Sequence, residues 1–293
     1  MNSARVDEIK GAKVTKRPGG IKGLLEGGAV SPRHARFLRE MRLRKFWLVF
    51  TQLAVLAAFF GIWQFVASAG LVDPFIISHP MAIVEKIGEL IRDGTLMHHI
   101  GITVMETLIA FVVGTVAGIV LAAMFWWWKF FSDVADPYIV ILNATPKIAL
   151  GPVFIIWLGA NMGAAVALAV SITLFIAILS VYSAFRQVDP QKLMLVTSLG
   201  GTKWQCFQKV VFPSAIPTII STLKVNIGLA LTGTIVGEFL AANAGLGYLI
   251  IYGQNIFSMT LVMTSLVILT AIAGLMYYAV CLLERQFSPA SAA

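Results

Sequence analysis

Three charged side chains fall inside long apolar stretches of this sequence: Lys147, Lys224 and Glu238. An ionisable group inside a membrane-spanning helix costs a few kcal/mol, and such groups commonly serve binding or transport. Either lysine could favour an anion in a central cavity. Lys224 lies only about two to three helical turns from the nearer end of its stretch, so its side chain could instead extend to the headgroups. Glu238 comes near the far end of the same stretch, where it is better placed to structure the glycine-rich segment that follows than to bind a solute.

Polar and helix-breaking residues accompany these charges. Pro146 and Pro152 flank a predicted irregularity, and broken helices often line cavities. Asn143, Asn226 and Thr232 could hydrogen-bond a solute, although contacts between packed helices are the commoner role for such side chains. The candidate residues for a pathway or gate are Lys147, Asn143, Pro146, Lys224, Asn226, Thr232 and Glu238.

No group of residues in this sequence suits catalysis. His98 and His99 are adjacent, but no third metal ligand stands at a sensible spacing. Neither a nucleophile elbow nor a zinc-binding helix motif occurs, and the Gly-x-x-x-x-Gly-Lys-Ser/Thr loop that holds nucleotide phosphates is missing. Cys206 and Cys281 are far apart and are expected to be free thiols. We therefore expect no enzyme activity and no cofactor, and any nucleotide chemistry must belong to another chain.

The composition indicates a protein that is solvated by lipid. Of 293 residues, 58% are hydrophobic and 12% are charged, whereas soluble domains carry about 25% charged residues. The first 45 residues hold twelve Lys or Arg against four Asp or Glu, and the remainder is neutral. These basic residues stand directly before the first apolar stretch, which suits membrane orientation and anionic lipid rather than nucleic acid. Arg33–Lys45 could form a basic interfacial helix.

Apolar segments of suitable length predict an all-α, polytopic membrane protein with six transmembrane helices. A bilayer core needs about 20 helical residues, and uncharged runs broken by glycine-rich turns supply them. The third span has to reach back past Lys147 and Pro146 to cross at all. Trp126–Trp128, followed by Lys129, is predicted to anchor the second span at the membrane interface. The predicted spans are residues 46–69, 104–126, 138–158, 164–185, 215–240 and 258–283.

The charges of the connecting segments predict the orientation. Residues 186–212 hold four basic side chains and one acidic, whereas residues 71–101 hold two basic and four acidic. Positive charge is enriched on the cytoplasmic side of membrane proteins, so both termini are expected in the cytoplasm. The expected organisation is a basic tail over 1–45, a transmembrane domain over 46–285 and a short tail over 286–293, in the cell (inner) membrane.

Residues 189–213 predict two short helices separated by a glycine turn. Asp189 can cap the first helix, which ends at Gly200-Gly201. A capping-box pattern over residues 202–205 begins the second helix. We therefore expect a helix, a turn and a helix on the cytoplasmic side, ahead of the fifth span.

The second of these helices carries one apolar face, formed by Trp204, Phe207 and Val211. This face could pack on the chain's own membrane domain, lie among lipid headgroups, or dock a partner protein. Composition does not separate these alternatives.

The same loop resembles the cytoplasmic-loop signature of ABC importer permeases, which reads Glu-Ala-Ala, three residues, Gly, nine residues, Ile-x-Leu-Pro. Gly200 is followed by nine residues and then by Val210-Val211-Phe212-Pro213, so the spacing and the hydrophobic types fit. Met194-Leu195-Val196 replace the Glu-Ala-Ala triplet and remove its carboxylate. The resemblance covers about residues 46–285, and within the family the sequence is most similar to the nitrate/sulfonate/taurine branch. Its further motifs are Thr145–Pro152, Trp157–Gly159, Ala215–Pro217, Lys224 and Gly237–Tyr248.

This resemblance implies a type I ABC importer permease fold, with a core over about residues 98–284 and a cytoplasmic coupling helix. A separate ATPase subunit would receive that helix, and a second permease copy would complete the pore. ATP-driven closure would rock the two copies between inward- and outward-facing states, while an external binding protein delivers a small solute such as nitrate, a sulfonate, taurine or a vitamin-precursor pyrimidine. The residues expected to serve ATPase coupling are Met194, Gly200, Gly201, Trp204, Phe207, Val210 and Pro213.

Two other classes of protein remain as alternatives. A stand-alone secondary transporter or channel would show ion-coupling carboxylates near the bilayer midplane or paired inverted halves, whereas Glu106 and Glu238 lie towards the ends of their spans. A membrane-embedded enzyme lacks any catalytic set here. The expected partners are therefore ABC ATPase subunits, a solute-binding protein, a second permease copy and the lipid bilayer, and no nucleic acid.

Overall fold

The computed structural model describes residues 32–70 and 78–287, and over those residues the protein is all-α. The basic tail up to residue 31 and the tail from residue 288 lie outside the described residues. The chain divides into two compact units, residues 1–62 and 63–293. The described helices are α1 (Pro32–Ser68), α2 (Pro80–Arg92), α3 (Thr95–Trp127), α4 (Lys129–Ala144), α5 (Gly151–Leu158), α6 (Met162–Arg186), α7 (Pro190–Ser198), α8 (Lys203–Cys206), α9 (Phe212–Ala241), α10 (Leu246–Asn255) and α11 (Met259–Phe287).

Helix α1 begins at Pro32 and runs without a break to Ser68. The segment Arg33–Lys45, expected as a basic helix, is helical and continuous with the first span. The apolar part, Phe46–Ser68, has a mean hydropathy of 1.9 and buries none of its most apolar window within the chain. An apolar helix of this kind has its surface available to lipid or to another protein.

Five helices among the described residues are long and apolar enough to cross a membrane, and a sixth crossing requires α4 and α5 together. These two are bent by 90° at their junction, so the irregularity predicted at Pro146 within the span 138–158 is a sharp break between two helices. Thr145 leaves helical geometry, with φ −65° and ψ 135°, because the ring of Pro146 disfavours the helical conformation of the residue before it. The bundle thus has six crossings only if the bent pair counts as one.

Helix α6 forms the centre of the bundle, packed between α3 and α9. Each neighbour presents a Gly-x-x-x-Gly pair, Gly114 with Gly118 on α3 and Gly233 with Gly237 on α9. A Cβ atom at Gly237 would lie 2.4 Å from the Cα of Ala165 on α6, so only glycine allows this approach. Within lipid, close packing of this kind is a main source of helix association.

Candidate functional site

The inter-span loop, residues 189–213, has the helix and glycine turn that the sequence predicts. Asp189 caps α7 by accepting a backbone hydrogen bond at 2.8 Å. Gly200 ends the helix with φ +81°, a left-handed conformation that favours glycine. The N–H of Gly201 donates to the carbonyl oxygen of Val196 at 2.9 Å, and a Cβ at Gly201 would lie 2.7 Å from that oxygen. One glycine is therefore required by conformation and the next by close contact.

The second helix of the loop is not a separate element, which corrects the sequence prediction. Its capping box is present, and Thr202 N donates to Gln205 Oε1 at 2.8 Å. From there α8 passes through a π-helical segment, Phe207–Val211, directly into α9. Pro213 is in the first turn of α9 and does not end the helix, because the wider π turn just before it takes up the irregularity that a proline imposes. The loop and the fifth span form one helical run, Lys203–Ala241.

The apolar face at the start of this run is partly buried within the chain and partly exposed. Phe207 contacts Trp126 and Phe185, with ring centroids 5.2 and 5.6 Å apart, and Val211 is fully buried. For these two residues, packing on the chain's own membrane domain is what the structure shows. Trp204 stays 58% exposed, so most of its ring remains available to another molecule.

The most exposed apolar surface of the loop belongs to α7 and the turn after it. Met194 is 69% exposed, Leu195 63% and Leu199 80%. Val210, by contrast, is half-buried against the packed aromatic side chains. Of the three exposed residues the sequence analysis proposed only Met194 for docking, although Leu195 follows it directly and Leu199 stands four positions after Leu195.

Trp126 and Trp127, expected as interfacial anchors, also hold the loop. Trp127 contacts Trp204 with ring centroids 6.1 Å apart. The ammonium of Lys203 lies 5.6 Å from the ring centroid of Trp126 and 5.1 Å from that of Trp127, and it donates to the carbonyl oxygen of Trp127. Trp128 is 54% exposed. The tryptophan run is thus one wall against which the loop packs.

Lys147 lies at the break between α4 and α5. Its Nζ donates to the carbonyl oxygen of Asn143 at 2.6 Å and lies 3.4 Å from Asn143 Oδ1. The ring centroid of Phe175 is 5.5 Å from Nζ. The ammonium therefore caps the C-terminal end of α4, where a cation is favourable. Its side chain is only half-buried, and Pro146 beside it is exposed, so the break opens onto a free surface of the chain.

Two other candidates are engaged in contacts between helices. Lys224 Nζ forms an ion pair of 2.6 Å with Glu284 Oε2 on α11. Asn226 is fully buried, and its Nδ2 donates to Thr115 Oγ1 at 3.0 Å and to the carbonyl oxygen of Thr173 at 3.3 Å. Asn226 thus joins α9 to α3 and α6, while the charge of Lys224 is balanced within the chain.

Thr232 lies on the open face of α9. It is exposed, and its Oγ1 donates to the carbonyl oxygen of Gly228 at 2.9 Å. Ser221, Val225 and Gly228 lie on the same exposed face at helical spacing. A row that includes small and polar residues on α9 is unusual for a surface that meets only lipid.

Glu238, at the other end of α9, is 1% exposed and fixes the start of α10. Its Oε1 accepts from Thr103 Oγ1 at 2.6 Å, and its Oε2 accepts from the N–H of Gly247 at 2.5 Å. Thr103 Oγ1 in turn accepts from the N–H of Leu246 at 2.8 Å. The carboxylate therefore joins α3, α9 and α10, and the described part of the chain buries it.

The sequence analysis treated Glu106 only as a carboxylate towards the end of its span and did not include it among the candidate residues. It is also 1% exposed, and its carboxyl group lies beside that of Glu238. Beside these two residues, His99 Nδ1 accepts from the N–H of Gly245 at 3.0 Å, so this histidine hydrogen-bonds the backbone before α10. The available signal was the polar row Thr103, Glu106 and Thr107 on one face of an otherwise apolar helix.

The comparisons with known proteins agree with the resemblance read from the sequence. The family described as binding-protein-dependent transport system inner membrane component matches residues 114–290. A putative aliphatic sulfonates transport permease of Bacillus subtilis is 27% identical over 260 residues, which is 88% of this chain and 94% of the relative. The taurine transport system permease of Escherichia coli is 22% identical over 262 residues, covering 86% and 95%. The formylaminopyrimidine transport permease of Halalkalibacterium halodurans is 29% identical over 187 residues, covering 64% and 74%.

Two solved structures share the fold. An inward-facing MetNI methionine ABC transporter aligns with a TM-score of 0.58 and 19% identity over 66% of this chain and 95% of the other. An amino acid ABC transporter aligns with a TM-score of 0.54 and 21% identity over 69% and 96%. These likenesses confirm the expected fold class of an ABC importer permease. Since the family match spans more than half of the sequence, this chain belongs to the family of inner membrane components of binding-protein-dependent transport systems, the multi-pass permeases of ABC importers for small solutes.

Proposed function

We propose that two copies of this chain form the pathway of an importer, and that a separate cytoplasmic ATPase drives it by docking on the inter-span loop. The observation that carries this proposal is the exposed apolar face of Met194, Leu195 and Leu199 on a basic loop. Apolar side chains in water are unfavourable by about 25 cal/mol per Å² of surface, and a docked partner removes that cost. The basic charge of the loop favours the cytoplasm, where both chain termini would also lie.

The continuity of the loop with the fifth span supports alternating access. A force applied to α7 reaches Gly200-Gly201, passes into the helical run Lys203–Ala241 and so reaches the packed interface of α9 with α6. Beyond the glycine turn the run Lys203–Ala241 is continuous, so a force that crosses the turn is transmitted along α9. We propose that closure of two ATPases moves the two loops together and so exchanges the inward- and outward-facing states.

The open face of α9 and the break before α5 are the proposed walls of the pathway. Thr232 contributes a hydroxyl group to the first, while Lys147, Asn143 and Pro146 lie at the second. Lys224, the Nδ2 group of Asn226 and the carboxylate of Glu238 have partners within the chain, so we assign these three residues to structure. The pathway is open along one side in a single copy, which a second copy would close.

The solute that we propose is a small polar molecule, delivered by an external binding protein. The permeases similar to this chain are named for aliphatic sulfonates, taurine and formylaminopyrimidine. An anion such as a sulfonate suits the positive charge of Lys147 beside the pathway.

The test is uptake of labelled taurine and of ethanesulfonate into ATP-loaded proteoliposomes. The permease is reconstituted alone, or with the ATPase and binding protein that co-purify with it. We expect uptake only with the full set of subunits. Solute flow through the permease alone would overturn ATP coupling and favour a stand-alone transporter or channel.

A substitution at Gly200 tests the docking site itself. Gly200→Val forces a β-branched residue into a left-handed conformation, and we expect it to abolish uptake and ATPase co-purification while membrane insertion persists. Gly101→Val is the matched control, because Gly101 is helical and a Cβ there meets nothing within 4 Å. Normal ATPase retention by the Gly200 variant would contradict the assignment, whichever solute is carried.

A further inference from the structure

A groove of about 350 Å³ runs along the last turns of α3 beside the inter-span loop. Val120, Met124 and Trp127 form one wall, and Trp204 and Phe207 of the loop form the other. Val120 lies about 10 Å from Trp127 along the helix axis, and its side chain is 52% exposed. The groove therefore extends from the tryptophan level of the interface into the hydrocarbon region.

A cation lies beside this groove, against the ring of Trp127, which is part of the lining. Lys203 Nζ lies over the rings of Trp126 and Trp127 and donates to the carbonyl oxygen of Trp127. An ammonium has three donors, and that carbonyl occupies one of them. Among the residues that the structure describes, the ion pairs are Lys86–Glu89 and Lys224–Glu284, so Lys203 has no carboxylate partner there. Two of its donors are left for a ligand with negatively charged oxygen atoms.

We propose that the groove binds an anionic phospholipid, with an acyl chain along Val120 and Met124 and the phosphate group on Lys203. The depth of the groove favours a lipid, because the groove extends into the hydrocarbon region of the bilayer, where a water-soluble partner does not enter. The charge selects the headgroup, since the inner leaflet is anionic and a lysine near its surface strengthens binding of such lipids. A helix of a second copy would also fit the apolar wall, but it would need to bring an acidic group to Lys203.

The consequence is a link between lipid composition and the loop. Trp204 and Phe207 belong to the loop and Val120 belongs to α3, so a lipid in the groove bridges the two elements. Bound lipid would hold the loop against the membrane domain. This inference does not rest on ATPase docking, and its test needs the permease alone.

The test uses the quenching of tryptophan fluorescence by brominated lipids in vesicles that contain the full-length permease. Brominated phosphatidylglycerol is compared with brominated phosphatidylcholine in competition. We expect about a five-fold preference for phosphatidylglycerol, the effect of one lysine at a membrane surface. Lys203→Gln should reduce that preference to near one, while Lys192→Gln, on the same loop but without a tryptophan contact among the described residues, should keep it.

A second variant separates the groove from general charge attraction. Val120→Phe fills the groove at a half-exposed position and should reduce the selective quenching without changing the melting temperature. Equal affinity for both lipids in the unaltered permease would overturn the proposal, as would a preference that survives Lys203→Gln. Absence of groove quenching by either lipid would also overturn it and would indicate that protein, such as a second copy, covers the groove.

Discussion

The two ends of helix α9 are built in opposite ways. At the loop end, apolar side chains such as Leu195 and Leu199 are exposed, and the contacts that hold the loop are aromatic. At the other end, Glu238 and Thr103 are buried, and they take up the first backbone N–H groups of α10. One end exposes apolar surface to its surroundings, whereas at the other end both carboxylate oxygens of Glu238 accept hydrogen bonds within the chain.

This difference indicates which end depends on other molecules. Buried polar groups stabilise a fold only when nearly all of them are paired, so the Glu238 end is a fixed joint of this chain. Exposed apolar groups gain free energy only when something covers them, so the loop end is incomplete alone. Substitutions should therefore lower stability at the Glu238 end and lower partner binding at the loop end.

The largest effect is expected for Glu238→Ala. This change leaves the hydroxyl of Thr103 and the N–H of Gly247 without their partner, and each unsatisfied buried group costs about 1–3 kcal/mol. We expect a loss of about 3–5 kcal/mol and a clearly lower melting temperature in detergent. Glu89→Ala, at an exposed residue of α2, is the control and should melt with the unaltered protein. Equal melting of the two variants would remove the distinction between the ends.

The next effect concerns binding rather than stability. Replacing Leu195 and Leu199 by Glu places charges on the exposed apolar face, and we expect ATPase affinity to fall by at least about ten-fold, the equivalent of half a buried leucine or more. The melting temperature of the permease alone should not change, because both side chains are already exposed. Met81→Glu is the matched control, since Met81 is 58% exposed on α2, far along the chain from the loop. Affinity is measured by titrating the co-purified ATPase onto immobilised permease, and unchanged affinity would show that the ATPase binds elsewhere.

A third prediction tests whether the glycine turn is rigid. Gly201→Ala places a Cβ 2.7 Å from the carbonyl oxygen of Val196, an overlap that commonly costs about 1–3 kcal/mol. Gly228→Ala meets nothing within 4 Å and should be neutral or slightly stabilising, because alanine favours helix. Thermal unfolding of the loop, followed by the fluorescence of Trp204, distinguishes the two variants. Identical unfolding would mean that the turn relaxes freely and does not transmit force.

Local signals explain what could be predicted from the sequence. The caps at Asp189 and Thr202 and the glycine turn at Gly200 depend on residues within a few positions, and each forms as expected. Span positions follow from apolar length, which the bilayer imposes. The break at Pro146 was placed correctly as an irregularity, but its 90° bend depends on packing that no local pattern encodes.

Contacts between distant residues explain what the sequence did not predict. The ion pair of Lys224 with Glu284 and the proximity of Glu106 to Glu238 involve different helices, so each charge looked isolated when its own span was considered. Pro213 looked like a helix boundary because the hydrogen bond that a proline loses can be deduced from the sequence. The π-helical segment that compensates for this loss could not be deduced, because no pattern of residue types marks it. The Gly-x-x-x-Gly pairs beginning at Gly114 and Gly233 were visible and could have identified α3 and α9 as the neighbours of α6.

The smallest effect is expected at the ion pair between Lys224 and Glu284, which combines the polar groups of one end of α9 with the exposure of the other. It is polar like the Glu238 joint, but its side chains are 26% and 32% exposed, so water already screens the interaction. Lys224→Met and Glu284→Gln should each shift the melting temperature less than the other variants at buried contacts, and the double variant should differ little from either single variant. A double-mutant cycle of melting temperatures measures this coupling. A shift as large as that of Glu238→Ala would show that the loop end also contains a fixed joint, and the contrast between the two ends of α9 would then fail.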